Sequence, residues 1–242
     1  MKVVSHGTGG AAECMQIEER PMPIPGPDQV LIQVAYAGIN RPDVLQRMGL
    51  YMPPQDASPL LGLEVSGRIA LLGDAVQGLR IGDMVTALVH GGGYAEYCIA
   101  EAGQVLSVPT GMNLATAAAL PETWFTVWSN LIHRGHLAAG ERLLVHGGAS
   151  GIGLTAIQLA KHLGVECMVT VGDDAKAAFC RQFGASAAIN YRKVDFAEEV
   201  KRLSAGEGID VILDIIGAPY FQRNLDVLRI DGRLLFIGFL GG

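Results

Sequence analysis

Gly147-Gly148-Ala149-Ser150-Gly151-Ile152-Gly153 is the part of the chain whose residue types and spacing point most directly to chemistry. The apolar run Leu143–Val145 leads into it, and Leu154, Ile157, Ala160 and Leu163 follow at helical spacing. That order predicts a strand, a tight turn and a helix, an arrangement that can cradle the pyrophosphate of a dinucleotide. Small residues let the backbone approach phosphate oxygens, and the helix start offers unpaired N–H groups and a positive dipole end. Read strictly as Gly-x-Gly-x-x-Gly the run is imperfect, because Ser150 stands where a glycine is often found. The same residues would also serve a strand-to-helix connection that binds nothing. Gly164 suits the C-cap of the helix, and a second strand reads over Val165–Val171. Asp173 stands about 20 residues beyond Gly153, where an acid can accept the ribose 2′-hydroxyl.

The elements around this turn repeat its pattern. A helix reads over Asp174–Phe183, a strand over Ala187–Asn190, and a helix over Phe196–Ser204. The strand Val211–Ile215, a helix through Phe221–Leu228 and the strand Arg233–Ile237 complete the alternation. Strands alternating with helices predict a parallel, doubly wound sheet, here of five strands where that fold has six.

The first half is different in kind. Strands are expected at Val30–Ala37, Val65–Leu72, Met84–Val89 and Tyr94–Ala100, with a single helix around Arg41–Gly49. Pro21, Pro23, Pro25, Gly26, Pro27, Gly78 and Gly82 punctuate them, as in a β-rich domain of short strands. An alanine-rich, helix-forming stretch at Leu114–Leu131 crosses Pro121-Glu122 into the second half. The expected domains are 1–121 and 122–242.

Composition narrows the class. Charged residues make up 17% of the 242 residues and the formal charge is −6, which argues against nucleic-acid binding by bulk electrostatics. No apolar stretch approaches the length of a membrane span, and the N-terminus lacks a secretory pattern. Cys14, Cys98, Cys167 and Cys180 form no C-x-x-C pair, so reduced thiols in a cytoplasmic protein are expected.

Several segments together carry a resemblance. They are Ala37-Gly38-Ile39-Asn40-Arg41-Pro42-Asp43, Arg47-Met48-Gly49-Leu50-Tyr51, Gly62-Leu63-Glu64, Gly78 with Gly82-Asp83 and Val85, Gly92-Gly93-Tyr94-Ala95-Glu96-Tyr97, and the glycine turn. In this order and spacing they resemble the medium-chain dehydrogenase/reductase superfamily, and within it the zinc-independent quinone oxidoreductases related to zeta-crystallin. The resemblance runs over the whole chain. It implies an α/β protein: an N-terminal GroES-like β domain followed by a Rossmann doubly wound parallel sheet, with the active site in the cleft between them. It also implies a further strand beyond Gly242, so the nucleotide domain is expected to be incomplete at its C-terminal end. A homodimer is expected for a full-length form.

Zinc enzymes of the superfamily place a cysteine where this chain has Asn40 and a histidine where it has Leu63. Leucine cannot ligate a metal and asparagine is a poor zinc ligand, so no zinc is expected. His90 and His146 read as packed or solvated residues.

The resemblance places Asn40, Asp43 and Tyr51 in the substrate cleft as catalytic residues. Asn40 could donate to a substrate oxygen or brace the nicotinamide ribose, Asp43 could position it, and Tyr51 could donate through its hydroxyl. Each also has a structural reading: Asn40 as a turn residue, Asp43 as a helix N-terminal acid, Tyr51 as a packed aromatic. Thr126, Ser150, Gly151, Ile152, Gly153, Gly172, Asp173, Lys176, Tyr191, Arg192 and Phe239 are the expected cofactor contacts. Asp173 favours NAD, whereas Lys176, Tyr191 and Arg192 match positions that hold NADPH, and NADPH is the expected cofactor. The implied activity is hydride transfer from NADPH to a quinone or related conjugated carbonyl without metal. Enoyl-thioester or alkenal reduction, and a non-catalytic NADPH-binding role, remain alternatives.

The turn also resembles that of short-chain dehydrogenases, which need Tyr-x-x-x-Lys downstream. Here Asp195 stands four residues after Tyr191 and Asn224 four after Tyr220, so that reading fails.

Overall fold

A computed structural model describes residues 1–242, which fall into two units, Met1–Glu122 and Thr123–Gly242. In the first unit, β1 (Lys2–Ser5) pairs antiparallel with β2 (Gln16–Glu19). β3 (Gln29–Ala37) leads to the short helix α1 (Arg41–Arg47), then come β4 (Glu64–Leu72), β5 (Met84–Leu88), β6 (Tyr97–Glu101) and β7 (Val105–Ser107). These strands form an antiparallel sheet in the order β6-β3-β4-β5-β7. Val30, Ile32, Val65, Ile69, Val85, Ala87, Cys98 and Ala100 pack into one buried cluster. The alternation of Val30 and Ile32, and of Val85 and Ala87, is the period-two signature of strands with one face on a core. At Gly67 a Cβ would meet the Gln33 carbonyl oxygen at 2.0 Å, so only glycine lets β3 and β4 approach through their register shifts.

Chain order continues with α2 (Leu114–Ala117) and α3 (Pro121–Trp128). The alanine-rich stretch thus forms two helices that meet at Pro121. Pro121 lacks an N–H to continue α2 and instead opens α3, where a missing donor costs nothing. A π-helical turn, Ser129–Arg134, follows.

The second unit contains β8 (Arg142–His146), α4 (Gly151–Leu163), β9 (Glu166–Val171), α5 (Asp174–Phe183), β10 (Ala187–Asn190), α6 (Phe196–Leu203), β11 (Ile209–Asp214), α7 (Phe221–Val227) and β12 (Leu228–Phe236). The sheet is parallel in the order β10-β9-β8-β11-β12, the first five strands of the 3-2-1-4-5-6 dinucleotide arrangement. Both faces are covered. Val145, Val169 and Leu213 join Ala156, Ile157 and Ala160 of α4 on one side. Leu144, Met168 and Ile212 join Phe196, Val200 and Val227 on the other. This two-sided burial is why the strands read as unbroken apolar runs.

Two strand starts differ from expectation by three residues or more. The strand expected from Tyr94 begins at Tyr97, with only an isolated bridge from Ala95 to Val3 before it. β12 begins at Leu228 rather than Arg233, because its early residues pair with Ile209 across a bulge and Asp231 takes a left-handed φ of 62°. No helix is long and apolar enough to cross a membrane.

Candidate active site

Within the first unit, a polar cluster is assembled at the start of α1. Asn40 is the N-cap residue, and the Asp43 carboxylate reaches back to accept from the Asn40 N–H at 2.8 Å. Asp43 also accepts from the Gly62 N–H at 3.0 Å and from the Tyr94 hydroxyl at 3.0 Å. It is 2% exposed. In this structure the Asp43 oxygens are engaged by three internal donors, which tie the Asn40 and Gly62 segments together. Tyr94 is correspondingly locked as a donor, with burial first and the Asp43 charge second pushing its hydroxyl far above the usual phenol range.

Asn40 is oriented by a residue that sequence reasoning missed. Its Nδ2 donates to Glu64 Oε1 at 2.8 Å, and Glu64 Oε2 accepts from the Glu122 N–H at 2.9 Å. Glu64 is 2% exposed, and Gly38 makes room for it: a Cβ there would meet Glu64 Oε1 at 2.0 Å. The carboxylate fixes the carboxamide nitrogen, the oxygen faces the Asp43 N–H in the capping box, and the second N–H is left for another partner. A signal was available in the sequence, since Glu64 is an acid set between apolar Leu63 and Val65 at the head of a strand.

Glu122, at the start of α3, was missed as well. Burial, then the charges of Glu64 and Asp43, push its carboxyl up to about 7. Burial likewise raises Glu64, but Asn40 and the Glu122 N–H oppose the rise by stabilising its anion. Glu64 thus has donors for its charge, and Glu122, which is pushed up further, is the carboxyl that keeps its proton toward neutral pH. Tyr51 lies in the loop after α1, 41% exposed. Asn40 is turned toward Glu64 as a donor, Leu63 has no ligating atom, and no three His, Cys, Asp or Glu side chains gather as a metal site.

In the second unit the candidate nucleotide site lies around the turn after β8. Ser150 caps α4, its Oγ accepting from the Gly153 N–H at 3.1 Å. Gly147 and Gly148 both donate to the Thr170 carbonyl, at 3.1 and 2.9 Å, which ties the turn to the end of β9. The glycines are sterically required. A Cβ on Gly148 would meet Val169 at 2.5 Å, and one on Gly153 would meet the Gly148 oxygen at 2.4 Å. Gly151 and Ile152 begin the helix, so their N–H groups have no acceptor within it. A cradle shaped by absent side chains, with free donors at a 13-residue helix start, fits a pyrophosphate. Thr126 sits on α3, its carbonyl accepting from Asn130 Nδ2 at 2.9 Å.

The segments after β9 and β10 meet beside Gly172. A Cβ there would contact the Tyr191 hydroxyl at 3.0 Å and Arg192 Nε at 3.8 Å. Asp173 caps α5 by accepting from the Lys176 N–H at 2.8 Å, and its other oxygen lies 3.3 Å from Lys176 Nζ. The helix-start N–H of Lys176 leads the causes that hold Asp173 below the usual carboxylate range. Its spacing suits an acceptor for a ribose hydroxyl; the structure gives it the capping role and a lysine partner. Asp174 is likewise paired, with Lys193. Phe239 follows β12 and is 69% exposed, and the segment around it bonds to the loop after β11 through Leu240 N to Ile215 O at 3.0 Å.

Comparisons with known proteins agree with this geometry. The description "Alcohol dehydrogenase GroES-like domain" fits residues 26–110, and "Zinc-binding dehydrogenase" fits residues 151–242. Human quinone oxidoreductase is 33% identical over 225 residues, covering 91% of this chain and 67% of that protein. The chain belongs to the medium-chain dehydrogenase/reductase superfamily, in its zinc-independent, quinone-oxidoreductase-like branch. A phenolphthiocerol/phthiocerol polyketide synthase of Mycobacterium tuberculosis is 32% identical over 95% of this chain, which spans only 10% of that much longer protein. Among solved structures, the CurK enoyl reductase aligns with a TM-score of 0.90 at 31% identity, over 100% of this chain and 75% of that one. Escherichia coli quinone oxidoreductase complexed with NADPH aligns at 0.88 and 30% identity, over 100% and 74%.

Proposed function

We propose that this chain is an NADPH-dependent reductase of quinones or related conjugated carbonyls that works without a metal. The observation that carries the reading is the cluster at Gly172: Tyr191 and Arg192 converge on it, while Asp173 and Asp174 are each paired with a lysine. Arg192 is thereby a cation beside a site whose acids are already compensated, which suits a 2′-phosphate. The likeness to a quinone oxidoreductase complexed with NADPH supports the same cofactor.

NADPH, when bound, supplies two electrons to the acceptor as hydride. The chain's contribution is placement. The Gly147–Gly153 turn holds the pyrophosphate, and Tyr191, Arg192 and Lys176 hold the phosphorylated ribose. Asn40, fixed by Glu64, keeps an N–H available to an oxygen of the acceptor, and Tyr51 offers a hydroxyl. A quinone ring spreads the incoming charge over two oxygens, so neutral hydrogen-bond donors suffice where an isolated ketone would need a Lewis acid.

A second reading, reduction of an enoyl thioester, is favoured by the likeness to the CurK enoyl reductase. Steady-state NADPH oxidation with 1,4-benzoquinone and with a short enoyl thioester separates the two. The proposal expects the larger kcat/KM with the quinone. A larger value with the thioester favours the second reading, and no oxidation with either overturns both.

A further inference from the structure

A chain of polar side chains lies sealed inside the second unit, adjoining the turn after β8. Thr170, His146, Asp214 and Asn224 are 1%, 0%, 0% and 0% exposed. They come from the C-terminal ends of β9, β8 and β11 and from α7. His146 Nδ1 lies 2.9 Å from Thr170 Oγ1, and its Nε2 lies 2.7 Å from Asn224 Oδ1. Asn224 Nδ2 donates to Asp214 Oδ2 at 2.9 Å, while Asp214 Oδ1 accepts from the N–H groups of Ile216 and Gly217 at 2.6 and 3.3 Å.

The direction of every bond follows from Asp214. A carboxylate can only accept, so Asn224 presents its nitrogen to Asp214 and its oxygen to His146. His146 must then carry its proton on Nε2, and its bare Nδ1 accepts from the Thr170 hydroxyl. Edge contacts from Phe196 and Tyr220, with ring centroids 4.9 and 4.8 Å away, close the imidazole off from water. Burial drives its pKa down, in keeping with the neutral tautomer. A fully satisfied chain of this kind specifies one arrangement, because each member is left unpaired if another moves.

What it fixes lies at its two ends. The Thr170 carbonyl holds Gly147 and Gly148 of the pyrophosphate turn. Asp214 holds Ile216 and Gly217, and that turn in turn carries the Phe239–Gly242 segment through Leu240 N to Ile215 O, Gly241 N to Ile216 O and Ala218 N to Gly242 O. β8, β9 and β10 make the adenosine-side half of a dinucleotide fold, and β11 and β12 begin the nicotinamide-side half. The chain of polar groups therefore joins the halves.

We propose that His146 and Asn224, with Thr170 and Asp214, are positioning residues that hold the turn after β11 in register with the pyrophosphate turn, and so place the nicotinamide half of the cofactor. The inference rests on the NADPH reading above. It is tested by titrating the full chain with NADPH and, separately, with adenosine 2′,5′-bisphosphate, which spans only the adenosine half. Asn224→Leu removes both amide bonds, and Thr170→Val removes one hydroxyl at constant shape. Thr170→Val should weaken NADPH about tenfold, the scale of one buried hydrogen bond, Asn224→Leu by at least as much, and both should leave the bisphosphate within about twofold. Thr170→Ser should restore NADPH affinity. If Asn224→Leu fails to fold, the Thr170 pair decides. Parallel loss of both ligands, or no loss of either, overturns the proposal. Wild-type chain that binds the bisphosphate and NADPH no better than NADH refutes the cofactor reading, and the inference falls with it.

Discussion

Replacing Glu122 by glutamine should stabilise the protein above neutral pH and do nothing in mild acid. Glu122 is driven from an ordinary 4.5 to about 7 by burial and by the charges of Glu64 and Asp43. Between those two values the folded chain keeps a proton that the unfolded chain has released. Stability therefore falls as pH rises through the window, is fully present below 4.5, and is lowest above 7. At about 1.4 kcal/mol for each pH unit between the two values, the Glu122 charge costs about 3 kcal/mol at pH 8. Glutamine keeps the shape and the Glu122 backbone donor to Glu64 while removing the charge. For a chain of this size the gain corresponds to a rise in Tm of about 6–12 °C at pH 8, shrinking to none near pH 4.5. Thermal unfolding of wild type and E122Q between pH 4.5 and 8.5 is the assay. A pH-independent difference, or a variant less stable at pH 8, would refute the reading that Glu122 is buried as a raised, protonated carboxyl. In E64Q the proton on Glu122 should be lost at lower pH, since the neighbouring charge is gone.

The nucleotide pocket gives a second expectation: Arg192→Ala should weaken NADPH about tenfold or more and leave NADH nearly unchanged, read by calorimetric titration. Lys176→Ala should act in the same direction, because it also strips Asp173 of its partner beside the phosphate site; equal effects on both cofactors would contradict this. Elemental analysis of protein purified without added zinc should find well below one equivalent, since Asn40 is committed to Glu64 and Leu63 has no donor atom. One tightly held equivalent would show that the cluster around Glu64 has been misread.

Much of the fold was legible because its signals are local. The period-two pattern at Val30 and Ile32, the unbroken apolar runs of β8 and β11, and the glycines before α4 each declare an element without reference to distant residues. Pro121 could have announced the break between α2 and α3, since proline opens helices better than it continues them. The site was legible only where chemistry lies within one segment, as with Ser150 and Gly153. Its remaining parts depend on partners far apart in sequence. Glu64 and Glu122 are separated by 58 positions, and His146 and Asn224 by 78. Whether His146 is a solvated ring or the centre of a sealed hydrogen-bond chain is decided by Phe196, Tyr220 and α7, none of which is near it in the chain. Asp173 shows the converse: its spacing from the glycine turn suits a ribose acceptor, yet the start of α5 claims it as a cap.

The central claim is direct, metal-free reduction of a quinone at the expense of NADPH. It is tested most directly by single-turnover oxidation of NADPH deuterated at the transferable 4-position, with 1,4-benzoquinone as acceptor and protein dialysed against a chelator. The account predicts oxidation at an undiminished rate after chelation, slowed by deuterium in only one of the two stereochemical positions. Oxidation that requires added zinc, or none at all with quinone in excess, would contradict it.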